Sequence, residues 1–196
     1  MSKFSKPLAF VDVETTGLDP NVAEIIEIAV IRENTDGTIQ KLHYLIKPQS
    51  LNLADPHALE INGFAADPKR WDSAPLLSDV GDSIVDILIG CILVGHNVSF
   101  DEAMIKANLT RAGIDISRVP YHKIDTVTLV LEWLFPLGLR SASLDRVREF
   151  LRWSKEGAHT AEKDVEDTRR LFRLLWRLSW RGRIKIQFLH WILVPI

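Results

Sequence analysis

Apolar and polar positions divide the first part of the chain into strands. Leu8 to Glu14, LAFVDVE, is a short apolar run rich in β-formers, closed by the turn-like cluster TTGLDP. AEIIEIAVIRE, from Ala23, alternates as a second strand, and TIQKLHYLIKP gives a third that Pro48 ends. Between them Asn34-Thr35-Asp36-Gly37 is a hairpin signal, because Asp-Gly suits the positive φ of a tight turn. The three strands are predicted to form an antiparallel meander. The period then changes. Ala54 to Glu60 reads as a short helical turn, and Pro75 to Ile89 as a helix with Ile84, Ile87 and Leu88 on its apolar face. CILVGHN is another buried strand. Ser99 is predicted to cap a helix reaching about Ala112, with Glu102 three residues on, as a capping box requires. Tyr121 to Asp125 reads as a short strand, followed by helices over Thr126–Leu134 and Ser143–Leu151. A long helix is predicted from Ala161 to Ser179, striped by Leu171, Leu174, Leu175 and Leu178 and broken by Gly182.

Strands first and β-α-β alternation afterwards predict an α/β fold, a mixed sheet flanked by helices. At 196 residues the chain fits one domain, assigned to residues 1–181, with 182–196 as an apolar and basic tail that departs from the pattern before it. Hydrophobic residues make up 46% and charged residues 26%, ordinary values for a globular protein. No apolar run reaches the roughly 18 residues of a membrane span. The N-terminus runs straight into a strand without the pattern of a signal peptide. The single cysteine, Cys91, has no partner for an intrachain disulfide. The expected location is the cytoplasm, with no membrane association.

The net charge of −2 conceals an asymmetry. Seven basic residues and no acid lie between Thr168 and Ile196, which leaves 17 basic residues against all 26 acids in the first 167. An acidic body that meets a polyanion needs cations, either metal ions or this basic end.

The strand Leu8–Glu14 carries the chemistry. Asp12 and Glu14 stand two apart and share a face of the sheet. Two neighbouring buried carboxylates repel, and desolvation adds several kcal/mol if both stay ionised. A salt-bridged single acid would be unremarkable; the pair favours a metal site. Asp101, at a helix start, and Asp164, in the first turn of the last long helix, are suited to the helix dipole as well as to a ligand role. His159 precedes that helix, and Asp125 reads as a structural strand-end cap. Four carboxylates are hard oxygen ligands for Mg²⁺ or Mn²⁺. Two such cations about 4 Å apart suit in-line displacement at a phosphodiester.

FVDVETTGLDP, GHNVSFDEAMI and HTAEKDVEDT together resemble the three motifs of the DEDDh family of 3′–5′ exonucleases, to which the proofreading subunit of bacterial DNA polymerase III belongs. The resemblance covers about residues 7 to 179 in the family's motif order. It implies an RNase H-like sheet of three antiparallel and two parallel strands. It implies that Asp12 bridges two metal ions, that Glu14 and Asp164 bind the ion on the side of the attacking water, and that Asp101 binds the leaving-group ion. His159 would be the general base, a role open to an imidazole near neutral pH. No tyrosine lies near the third motif to replace it.

The resemblance also implies substrate contacts. Thr15, Thr16 and Gly17 would bring backbone to the terminal nucleotide, and Leu18 would pack on its base. ALEINGF resembles the segment that meets the 3′ end, with Asn62 in place of the usual histidine, Phe64 able to stack, and Ile61 beside them. Asn97 would contact the scissile region. Core packing competes with ligand contact for Leu18, Ile61 and Phe64. The tail WRLSWRGRIKIQFLHWILVPI holds three of the six tryptophans among basic residues. It fits docking to a polymerase or a second copy, packing on its own domain, or a grip on single-stranded nucleic acid. The expected activity is metal-dependent release of nucleoside 5′-monophosphates from a single-stranded or frayed DNA 3′ end. RNA 3′-end trimming and a non-catalytic docking module are the alternatives.

Overall fold

A computed structural model describes the backbone of residues 4–193 and side chains through Arg177. The side chains of the C-terminal tail, and Leu178 of the leucine stripe, lie outside the described residues. Five strands form one sheet: β1 (Leu8–Thr15), β2 (Ile25–Glu33), β3 (Ile39–Leu45), β4 (Ile92–Gly95) and β5 (Lys123–Asp125). Their order is β3-β2-β1-β4-β5. β1, β2 and β3 pair antiparallel, whereas β1, β4 and β5 run parallel. This is the mixed sheet that the strand pattern predicted. The helices are α1 (Pro56–Ile61), α2 (Leu77–Leu88), α3 (Val98–Arg111), α4 (Thr126–Trp133), α5 (Leu144–Leu151) and α6 (Ala161–Leu193).

The two faces of β1 feed different cores. Ala9, Val11 and Val13 join the cluster made with α2 and α3. Leu8 and Phe10 point the other way, into the cluster made with α4, α5 and α6, where the Phe10 ring meets Phe172 at 5.5 Å. Asp12 and Glu14 continue the Leu8–Phe10 face, since side chains alternate along a strand. One face of the central strand therefore changes from apolar to acidic halfway along. The register shifts in a bulge between Glu14 and Thr15, and the ladder ends one pair later, at Thr15 and Ile25, beside the acids.

Two expectations are corrected. Ser99 does not cap α3. The helix starts at Val98, after Asn97 in the left-handed region at φ 74°. The turn is tight: a Cβ on Gly95 would come within 2.9 Å of Val98 Cβ. The Asn97 N–H is held by Asp125 Oδ1 at 3.0 Å, while Glu102 pairs with Lys106 and Lys123 instead of reaching back. Gly182 does not break the last helix either, because the backbone of α6 stays helical to Leu193. A lone glycine costs about 1 kcal/mol in a helix, too little to stop one that meets no proline before Pro195.

Candidate active site

β1 delivers Asp12 and Glu14, and the first turn of α6 delivers Asp164. One carboxylate oxygen from each lies within 4.8 Å of the others. Asp101 arrives from the first turn of α3, 4% exposed, and its Oδ1 accepts the Val13 N–H at 3.2 Å. It stands beside the three-acid cluster and is the carboxylate that acts most strongly on Asp12. Glu27, which faces Glu14 across the β1–β2 ladder and is 1% exposed, adds a further buried acid.

This crowding raises the acids' pKa values. Burial, then the charges of Asp101, Asp164, Glu14 and Glu27, push Asp12 well above the usual carboxylate range. Burial, followed by Asp164, Glu27 and Asp101, takes Glu14 up to about 8. Asp101 is pushed by burial to about 8, even though the Val13 N–H favours its charged form. The strongest charged influences on Asp12 and Glu14 are thus other carboxylates. An all-oxygen donor set under mutual repulsion fits a divalent cation, which would turn the repulsion into attraction.

Asp164 differs from Asp12 and Glu14 in having a cationic partner. Arg148 of α5 is wholly buried, and its guanidinium spans three acids. Nη2 donates to Asp164 Oδ1 at 2.5 Å, Nη1 to Asp145 Oδ1 at 2.9 Å, and Nε to Asp167 Oδ2 at 2.8 Å. Burial raises the Asp164 pKa, and Arg148 opposes that rise. His159 sits on the loop before α6 at φ 64°, a conformation uncommon for a residue other than glycine. Its backbone N–H donates to Asp164 Oδ1 at 3.3 Å, and its Nε2 lies 3.2 Å from Asp145 Oδ2.

The sequence pattern of the RNase_T exonuclease family matches residues 9–172. The chain belongs to this exonuclease family. A PolC-type DNA polymerase III of Thermotoga petrophila is 33% identical over 162 residues, covering 82% of this chain and 11% of the polymerase. A ribonuclease T of Shewanella frigidimarina is 30% identical over 192 residues, covering 84% of this chain and 80% of that enzyme. The chain therefore spans a small part of the polymerase and most of the ribonuclease T. Escherichia coli exonuclease I, solved with a dT13 oligonucleotide, superposes with a TM-score of 0.75 over 93% of this chain and 43% of its own, at 19% identity. That likeness is one of fold, and the fold is RNase H-like.

The residues expected to touch substrate fall into two groups. Leu18 is 77% exposed and Ile61 46%, so both present apolar surface to solvent, and Asn97 is exposed on its tight turn. The others are engaged within the fold. Thr15 Oγ1 donates to Gly17 O at 2.7 Å, and Thr16 Oγ1 accepts the Glu24 N–H at 2.8 Å. Asn62 is buried, donates from Nδ2 to Thr15 O at 3.0 Å and accepts the Phe64 N–H at 3.1 Å. It braces the turn after β1. The Phe64 ring packs on Trp71 at 4.9 Å, inside a third apolar cluster with Ile26.

Sequence reasoning missed Arg148, Asp145 and Glu27. Each left a signal. Arg148 falls on the apolar stripe of its helix with Leu144, Val147 and Leu151, where a charge demands a buried partner. Glu27 interrupts the same-face series Ile25, Ala29, Ile31. Asp125 is structural, as expected, and holds two elements at once, accepting from Val127 N at 2.9 Å as well as from Asn97 N. Among the described residues no helix is long and apolar enough to cross a membrane.

Proposed function

We propose that the chain is a metal-dependent 3′–5′ exonuclease that removes nucleoside 5′-monophosphates from single-stranded or frayed DNA 3′ ends. The convergence of Asp12, Glu14 and Asp164 oxygens within 4.8 Å carries this reading, in a chain of the exonuclease family. Those three acids and Asp101 would hold two Mg²⁺ or Mn²⁺ ions. When bound, the ions supply positive charge against the oxygens that gain charge as the phosphodiester is displaced. His159 would take the proton of the attacking water, held by Asp145 through Nε2. A P–O bond to water forms, and the bond to the 3′ oxygen of the preceding nucleotide breaks. Exposed Leu18 and Ile61 would flank the terminal base, with Asn97 near the scissile phosphate. A Cβ on Gly17 would meet only Ala23 and Asp55, both at the ordinary distance of 3.6 Å. Folding alone thus does not demand glycine there, and close approach of a nucleotide would. Thr15, Thr16, Asn62 and Phe64 would act by shaping the turn around Gly17.

DNA is favoured by the relatives that carry polymerase names and by the fold neighbour solved with dT13. RNA 3′-end trimming is the second reading, favoured by the ribonuclease T of comparable length. Residues 1–181 would be the catalytic unit, and 182–196 a docking segment for a polymerase or a second copy. The intact acid set argues against a purely non-catalytic docking module. The test is digestion of matched 5′-labelled DNA and RNA single strands with Mg²⁺, with chelator, and by Asp12→Ala. Stepwise 3′ shortening that stops in the last two conditions is expected, faster on DNA. Full-length strands in the presence of metal would overturn the enzyme reading, and faster loss of RNA would overturn the substrate preference.

A further inference from the structure

Arg148 is the buried charge that the reading above leaves unused. Its side chain is fully enclosed, so it touches neither solvent nor substrate. Burying a guanidinium costs several kcal/mol, and well-packed apolar residues often stabilise such a position as well or better. Stability alone is thus a weak reason for an arginine on the apolar stripe of α5. What it holds is a better one. Asp167 anchors Nε, and the other two donors reach toward the site. Nη2 and the His159 N–H both converge on Oδ1 of Asp164, which leaves Oδ2 for a cation. Nη1 takes Oδ1 of Asp145, whose Oδ2 meets His159 Nε2. One rigid planar fork therefore ties a proposed metal ligand and the proposed general base to a single point.

We propose that Arg148 is a positioning residue of the metal site, fixing Asp164 through one oxygen and His159 through Asp145. The inference rests on the exonuclease reading, and its test separates the two. Arg148→Lys keeps the charge but cannot reach three carboxylates in a fork. The double variant Arg148→Met with Asp167→Met removes the guanidinium together with its anchor, so the more deeply buried Asp167 is not left without it in the core. Folding of both is checked by circular dichroism and urea denaturation. Mn²⁺ binding, followed by electron paramagnetic resonance, should weaken roughly 10- to 100-fold in the folded variants, as for loss of other groups that orient metal ligands. On single-stranded DNA kcat should fall while KM holds, because Arg148 is out of reach of substrate. A folded variant that binds Mn²⁺ within about twofold of wild type overturns the positioning role alone, since that range lies outside what such groups contribute. Wild type that binds no Mn²⁺ overturns the exonuclease reading and this inference with it.

Discussion

The pKa values of Glu14 and Asp101 are pushed up to about 8 in the metal-free protein, and burial is the first cause of both shifts. The chemistry of Glu14 was legible in the sequence because it shares one face of an apolar strand with Asp12, and such a pair has few structural explanations. Arg148 was legible only as a charge on the apolar stripe of α5, since its partners Asp164 and Asp167 come beside it only through packing. His159 lies between these cases. Its place before an acid-rich helix start was readable, whereas its pairing with Asp145 needed α5 to be brought alongside. Replacement of His159 by alanine should slow single-turnover hydrolysis by roughly 10²- to 10⁴-fold, the usual contribution of a general base. A rate close to that of wild type would remove the imidazole from the mechanism. Measured beside it, Asp145→Asn should give a smaller loss, because the imidazole keeps a hydrogen-bonding neighbour.

The elements place the acids through their ends. β1 bulges after Glu14 and ends at Thr15, α3 starts at a left-handed Asn97, and α6 starts just after a left-handed His159. Asp125 ties one of these events to a further helix start, since its Oδ1 holds the turn into α3 and caps α4. Asp125→Ala should therefore destabilise the protein by about 2 kcal/mol, the upper range for loss of a single cap. Urea denaturation measures it. Asp125→Asn, which retains an acceptor, should lose less, and an unchanged midpoint in the alanine variant would show that the carboxylate is not a cap. Element identity was readable because β1 and β2 are short apolar runs rich in β-formers, whereas apolar residues repeat at three to four along α2 and α6. The start of α3 was misread because the cap is chosen by a residue of a distant strand, Asp125. The end of α6 was misread because glycine is only a weak helix breaker.

Across the whole molecule, the raised pKa values of the buried acids tie stability to pH. In the folded state Glu14 and Asp101 have pKa values raised from 4.5 and 3.8 to about 8. At these two groups the folded protein therefore binds more protons than the unfolded chain between about pH 4 and pH 8, so their contribution to stability falls as pH rises through that window. In chelator, their contribution should lower Tm as pH is raised from about 5.5 to about 8.5, across those shifted values. Mg²⁺ or Mn²⁺ should raise Tm more at the upper pH, because the ligands must be deprotonated to bind. Scanning calorimetry at both pH values checks this; an equal metal-induced rise at each would mean that the acids do not titrate in that range.

By itself the sequence determined the strand–helix order, the mixed sheet and the acids that head for one place. Those features are written in local periodicity and in charges that burial alone would not tolerate. Tertiary structure decided which charges complete the set. Glu27 and Arg148 become buried neighbours of the site only when β2 and α5 pack beside β1 and α6, and Phe64 and Asn62 are drawn into the fold rather than left at its surface. The physical reason is desolvation: a carboxylate or guanidinium has much the same cost in any sequence context until packing removes its water. From that moment its partners, which lie anywhere along the chain, set what it can do.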